Sequence, residues 1–180
     1  MSLSPVRHEI LIAMLLHDKP VKVAQIAEET GQKFPAVMMH VIGLTRMGYA
    51  KSPEKGLYAI TERGKNALGI PEIDKETAQA ILADTPQDKA FHFYADMGKP
   101  LDYYAYGLQD FCDKILKISV DSIEFHLNRG DFESWFTGLG DVELARKIAL
   151  LKGKRLVGEE LRIRLHEIVE NRRIVLATQA

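Results

Sequence analysis

The chain has 180 residues, 46% of them apolar and 27% charged, with a formal net charge of −1. That length allows one ordinary domain or two small ones, and a single cysteine, Cys112, excludes an intramolecular disulfide and a cysteine-built metal site. No apolar run approaches the ~20 residues needed to span a bilayer, so no membrane partner is expected.

Ser4-Pro5 predicts an N-cap and a first-turn proline for a helix over 5–16. Val6, Ile10, Ala13 and Met14 form one stripe, and Leu11, Ile12, Leu15 and Leu16 make a second side apolar. Such a helix is expected to bury one face in its own domain and another against something else. A short second helix over 23–30, with Ala24, Ile26 and Ala27 inward, closes at Gly31 in the tight turn that a helix-turn-helix needs. The third helix covers 34–47 and ends at Gly48, with Phe34, Val37, Val41 and Leu44 as its inward stripe. The period then changes. Residues 49–51 and 57–60 read as strands around the turn residues 52–56, and Thr61 caps a further short helix.

Helix, helix-turn-helix, hairpin and helix is the winged-helix order. Ile26-Ala27-Glu28-Glu29-Thr30-Gly31, Val37 through His40, Leu44-Thr45-Arg46-Met47-Gly48-Tyr49 and Tyr58-Ala59-Ile60-Thr61-Glu62-Arg63-Gly64 together resemble the signatures of prokaryotic, especially archaeal, winged-helix transcriptional regulators. The resemblance covers residues 5–69. It implies duplex DNA as partner, a homodimer, and the cytoplasm as location, to which the absence of a signal-peptide pattern also points. Ser2 and Leu3 are set aside as residues carried over from cloning.

Pro71 and Pro86 bracket a connecting helix over 72–85, and residues 90–106, irregular and aromatic, read as a loop or extended segment packed on helices. Helices are predicted over 107–117, 120–128, 131–138, 141–151 and 158–172. Ser119, Asp131 and Asp141 are expected caps, and Gly130 a helix end. The run from Ser119 to Trp135, with Gly140-Asp141-Val142-Glu143-Leu144-Ala145 after it, resembles a family of small archaeal helical domains of unknown function that can follow a DNA-binding domain. The expected fold is therefore mainly α with a small β-hairpin wing. It comprises a winged helix-turn-helix over 1–70, a connecting helix or linker over 71–89 and an all-α helical domain over 90–180. Residues 1–70 carry nine Lys and Arg against six Asp and Glu, whereas 71–180 carry 15 against 19, a division that suits a binding module joined to a regulatory or assembly module.

In a winged helix the third helix enters the major groove and the wing touches the backbone. The inward stripe leaves Ala36, Met39, His40, Gly43 and Arg46 outward, with Gln32 and Lys33 at the helix entry. Of these, Gln32, Lys33, His40 and Arg46 are polar enough to read bases or hold phosphates. Lys51 and Lys55 on the wing, with Arg63 and Lys65 after it, would add salt-dependent phosphate contacts. The same greasy third helix suits a second reading, a protein-interaction or assembly module without sequence-specific DNA binding.

In the second half His126, Arg129, Asp131 and Trp135 form a ligand site or a structural network fixing a helix corner. No metal-ligand spacing, nucleophile–base pair or phosphate-cradling glycine loop is visible, so neither cofactor nor catalysis is expected. Asp141, Glu143 and Lys147 read as a solvated helix face. Arg172 and Arg173 suit phosphate or a helix C-terminus, and Cys112 reads as a small buried thiol. The helix over 5–16 and the connecting helix are the candidates for a dimer interface, and the helical domain is the place for an effector or partner.

Overall fold

The computed structural model describes residues 3–180; Ser2 lies outside them. The chain is mainly helical and divides into two compact units, the first ending at Glu72 and the second starting at Ile73.

Unit 1 runs α1 (Pro5–Leu15), β1 (Val21–Lys22), α2 (Val23–Thr30), α3 (Phe34–Arg46), β2 (Ala50–Glu54), β3 (Leu57–Ile60) and α4 (Glu62–Ala67). The Ser4 hydroxyl accepts from Arg7 N–H at the start of α1, and Thr61 accepts from Gly64 N–H at the start of α4. Gly31 ends α2 with φ +65°, a conformation that costs glycine nothing and leads the chain into α3. Val37, Val41 and Leu44 are fully buried, as their spacing predicts, but Phe34 is 48% exposed. It sits at the first residue of α3, beyond the reach of the core that its period implies. Ala24 is likewise exposed, on the outer side of α2.

The sheet of unit 1 is antiparallel with order β1-β3-β2. Thr61 joins the hairpin to the end of α3: its hydroxyl donates to Gly48 O at 2.6 Å and its N–H to Tyr49 O at 3.1 Å. Gly64 is required there, because a Cβ would collide with the Tyr49 carbonyl and come within 2.7 Å of Ile60 Cγ1. Ile10, Leu11, Ala13, Met14 and Leu15 of α1 and its C-cap Leu16 are buried within the single chain, whereas Val6 and Ile12 are half-buried.

Unit 2 contains α5 (Lys75–Leu82), a 3-10 turn (Gln87–Lys89), β4 (Phe91–Asp96), β5 (Lys99–Ala105), α6 (Leu108–Ile115), α7 (Val120–Arg129), α8 (Asp131–Gly138), α9 (Val142–Gly153) and α10 (Gly158–Gln179). Two expectations are corrected. The connecting helix is not a linker: α5 packs on α10 and α6, and Ala78 and Ile81 are fully buried in the core of unit 2. The second half is not all-α either. Residues 91–105 form an antiparallel hairpin in which Phe91 and Phe93 point to the core and His92 to solvent. That period of two is diluted by the aromatic residues that follow, and the pairing shifts register twice, with Asp102 at φ +54° within the irregular stretch.

Phe91, Phe93, Phe111, Phe132 and Phe136 form the aromatic centre of unit 2. The last helix runs to Gln179, seven residues past its expected end, and buries Leu176.

Candidate functional site

Two regions bring candidate residues together, one in each unit. In unit 1 the outer side of α3 exposes Ala36, Arg46 and, at 70%, Met39, with Lys33 exposed at its entry; Gln32 and His40 are half-buried. Lys51 and Lys55 are exposed on the β2–β3 hairpin, all of whose residues from 51 to 56 face solvent. Arg63 is also exposed, its guanidinium 5.2 Å from the Tyr49 ring centroid, so the cation is steadied without being neutralised. Lys65 differs. Its Nζ lies 2.9 Å from Glu62 and its side chain is largely buried, which removes most of its charge from the surface.

Arg7 joins this group, though sequence reasoning missed it. It comes from α1, and its Nη2 lies only 3.1 Å from where a Cβ on Gly43 would stand. Gly43 is one helical turn beyond Met39, so the missing side chain lets a guanidinium cross α3 where α3 itself offers no cation. The Arg7 Nε is buried with no hydrogen-bond partner among the described residues, and Nη1 meets only the Met47 sulfur at 4.0 Å. The glycine within α3 is the signal that could have pointed to such a close approach.

In unit 2 the corner between α7 and α8 gathers His126, Arg129 and Asp131. Gly130, at φ +77°, turns the chain between the two helices. Asp131 does not cap α8, as expected of it; its Oδ2 accepts from His126 Nδ1 at 2.8 Å and from Arg129 Nε at 3.1 Å. His126 Nε2 accepts the backbone N–H of Tyr94 at 2.8 Å, and the hydroxyl of Ser122, one turn earlier on α7, donates to the Tyr94 carbonyl at 2.7 Å. A pair of helix side chains thus serves as the hydrogen-bonding neighbour for the outer edge of β4. Ser122 was not singled out in the sequence, because an i, i+4 Ser–His pair has meaning only with a strand edge beside it. Trp135 points elsewhere: its ring stacks on Phe111 at 5.6 Å and its Nε1 donates to Lys89 O at 2.9 Å.

These bonds fix the tautomer of His126. Nε2 carries a lone pair toward Tyr94 and Nδ1 carries the proton toward Asp131, so the folded chain holds the neutral imidazole. Burial pushes its pKa below the ordinary 6.5; the Asp131 carboxylate opposes that shift and loses, and Arg129 adds to it. Between the lowered folded value and 6.5 the unfolded chain binds the extra proton, so stability from this group is present above pH 6.5 and is lost as pH falls through the folded value. Urea midpoints followed by tryptophan fluorescence are expected to fall as pH drops below 6.5, and to fall less in His126→Gln, which can still accept from Tyr94 but does not titrate. Equal slopes in the two proteins would remove His126 as the cause.

A second polar cluster is buried between the start of α9 and α10. Arg172 donates from Nε and Nη2 to both oxygens of Asp141, at 2.8 and 3.0 Å, and from Nη1 to Glu143 at 2.9 Å. Lys147 Nζ lies 3.3 Å from the other oxygen of Glu143. All four residues are at most 6% exposed. This corrects both the solvated face expected for Asp141, Glu143 and Lys147 and the phosphate or helix-end role expected for Arg172: α10 lies over that face and hides it. Asp141 does cap α9, accepting from Leu144 N–H at 3.0 Å. Arg173 pairs with Glu170 at 2.6 Å. Cys112 is buried, and burial with the nearby Glu170 carboxylate pushes its thiol up to about 12, which leaves it without thiolate character at neutral pH.

Among the described residues no His, Cys, Asp and Glu cluster could hold a metal ion, and no helix is long and apolar enough to cross a membrane. No family model, curated protein or solved structure matches the chain.

Proposed function

We propose that unit 1 is a winged helix-turn-helix that binds duplex DNA, and that the chain is a transcriptional regulator whose second unit senses an effector or joins two copies. The observation that carries the reading is the exposure, within one small unit, of α3 and of the hairpin after it, both bearing solvent-exposed cations: Lys33 at the entry of α3 and Arg46 at its end, Lys51 and Lys55 on the hairpin. A helix fits the major groove and a hairpin lies along the backbone beside it. Arg7 adds a guanidinium over Gly43. Arg46, His40 and Gln32 are the groups able to meet base edges; Lys33, Lys51, Lys55, Arg63 and Arg7 suit phosphates.

Mobility shift with genomic fragments at two salt concentrations tests this. Affinity is expected to fall steeply with salt, Lys33→Ala to weaken it across sequences while lowering the log–log salt slope by about one, and Arg46→Ala to relax the preference among sequences. Absence of any salt-sensitive shift sinks the proposal. The exposure of Met39 at 70% and Phe34 at 48% favours a second reading, in which α3 docks on a protein. In that case Met39→Lys abolishes a protein complex, whereas on DNA the added cation strengthens binding.

A further inference from the structure

A cavity of about 270 Å³ opens between the β4–β5 hairpin and α7, with Tyr94, Met97 and Phe125 among its walls and His126, Arg129 and Asp131 at its polar end. It lies wholly within unit 2. Its size is just below that of drug-sized ligand sites, ~300–1,000 Å³, which suits a small ligand, and its mixture of aromatic walls with a few converging polar groups is theirs too.

The polar end is not uniformly satisfied. Both nitrogens of His126 are spent, on Tyr94 N–H and on Asp131. Asp131 is offset by Arg129, and Asp96 at the rim is 3.5 Å from Lys99. Arg129 is the group with donors to spare: its side chain is 47% exposed, and its outer N–H groups are open to a ligand. Its guanidinium lies 5.0 Å from the Phe125 ring centroid, held at one corner by the Asp131 carboxylate. At the other, Nη1 meets the Met97 sulfur at 2.8 Å. A thioether is a weak acceptor, and a guanidinium presents a fork of donors shaped for two oxygens. Met97 itself sits at the hairpin turn, 69% exposed, on an unbranched side chain that can swing aside.

We propose that this cleft binds a small organic carboxylate with a flat apolar body, its carboxylate taking the outer N–H groups of Arg129 in place of the Met97 sulfur and its body lying against Tyr94 and Phe125. A cationic ligand would face the Arg129 guanidinium, which already covers one face of Phe125. The site stands on unit 2 alone and does not depend on whether unit 1 binds DNA.

Titration of the full chain with benzoate, benzyl alcohol and benzylamine tests it, read by calorimetry and by Trp135, the single tryptophan, whose ring is 5.6 Å from the cavity-lining Phe91. Benzoate is expected to saturate and to bind about tenfold or more tighter than benzyl alcohol, with Arg129→Gln weakening it by a similar factor. Met97→Ala is expected to keep benzoate binding. The ligand series uses the unaltered protein, so it decides even where a variant is unstable. No saturable benzoate signal, equal binding of benzyl alcohol or benzylamine, or an unchanged affinity in a folded Arg129→Gln protein overturns the proposal.

Discussion

Arg172→Met is expected to lower the unfolding free energy of unit 2 by about 3–5 kcal/mol, the cost of leaving buried charges without their partner. Arg172 is 4% exposed and Asp141 is fully buried. Three of its nitrogens donate to two carboxylates, so its removal takes both guanidinium bonds from Asp141, which keeps the Leu144 N–H, and one from Glu143, whose other oxygen lies 3.3 Å from Lys147. Methionine fills much of the volume, which makes the loss electrostatic rather than a cavity effect. The same Asp141 caps α9, so the damage reaches the helix start as well as its contact with α10. Urea unfolding followed by Trp135 fluorescence reads unit 2 directly. Arg164→Met is the comparison: its partner Glu167 is half exposed at 3.3 Å, and such surface pairs contribute ~0–1 kcal/mol. If Arg172→Met costs no more than Arg164→Met, the cluster is not a stabilising unit.

Phe111→Ala is expected to destabilise unit 2 by about 3–5 kcal/mol through lost transfer energy and the cavity left behind. The ring is fully buried in α6 and touches rings from two other elements, β4 and α8. Phe91 and Phe93 of β4 lie 6.1 and 5.9 Å away, Phe132 and Phe136 of α8 lie 5.2 and 5.1 Å away, and Trp135 stacks on it at 5.6 Å. Rings approaching from so many directions cannot all collapse into one gap. Phe111→Leu keeps most of the volume and is expected to cost markedly less. Trp135 emission is expected to shift red in the alanine variant as its stacking partner disappears. A folded Phe111→Ala protein with unchanged emission and midpoint would show that the hairpin and α8 are held together elsewhere.

Much of unit 1 was readable residue by residue. Ser4 and Thr61 mark helix starts because a hydroxyl satisfies an orphan N–H locally, and Gly31 marks a helix end because φ is a local property. Val37, Val41 and Leu44 were identifiable from period alone. Phe34 misled, since a period shows which face a residue shares and not whether the core extends that far along the helix. Arg7 was invisible as a surface cation because it reaches the α3 surface from another helix. In unit 2 the helices were legible and the hairpin was not: only Phe91, His92 and Phe93 of β4 alternate in burial, and the register already shifts between His92 and Tyr94.

The candidate site of unit 2 shows the same division. That His126, Arg129 and Asp131 belong together was legible from their spacing about Gly130, and so was the burial of Cys112. What each one does was decided by elements distant in sequence. Tyr94 settles the tautomer of His126, Met97 meets Arg129 with a sulfur, and α10 turns Asp141, Glu143 and Lys147 from an outer face into a buried ion cluster. Caps, turns and helical stripes are set within about one turn of chain and so can be read from sequence. Burial and the sharing of hydrogen-bond partners depend on contacts 28 to 32 residues apart, from Ser122–Tyr94 to His126–Tyr94 and Arg129–Met97, and only the tertiary structure brings those together.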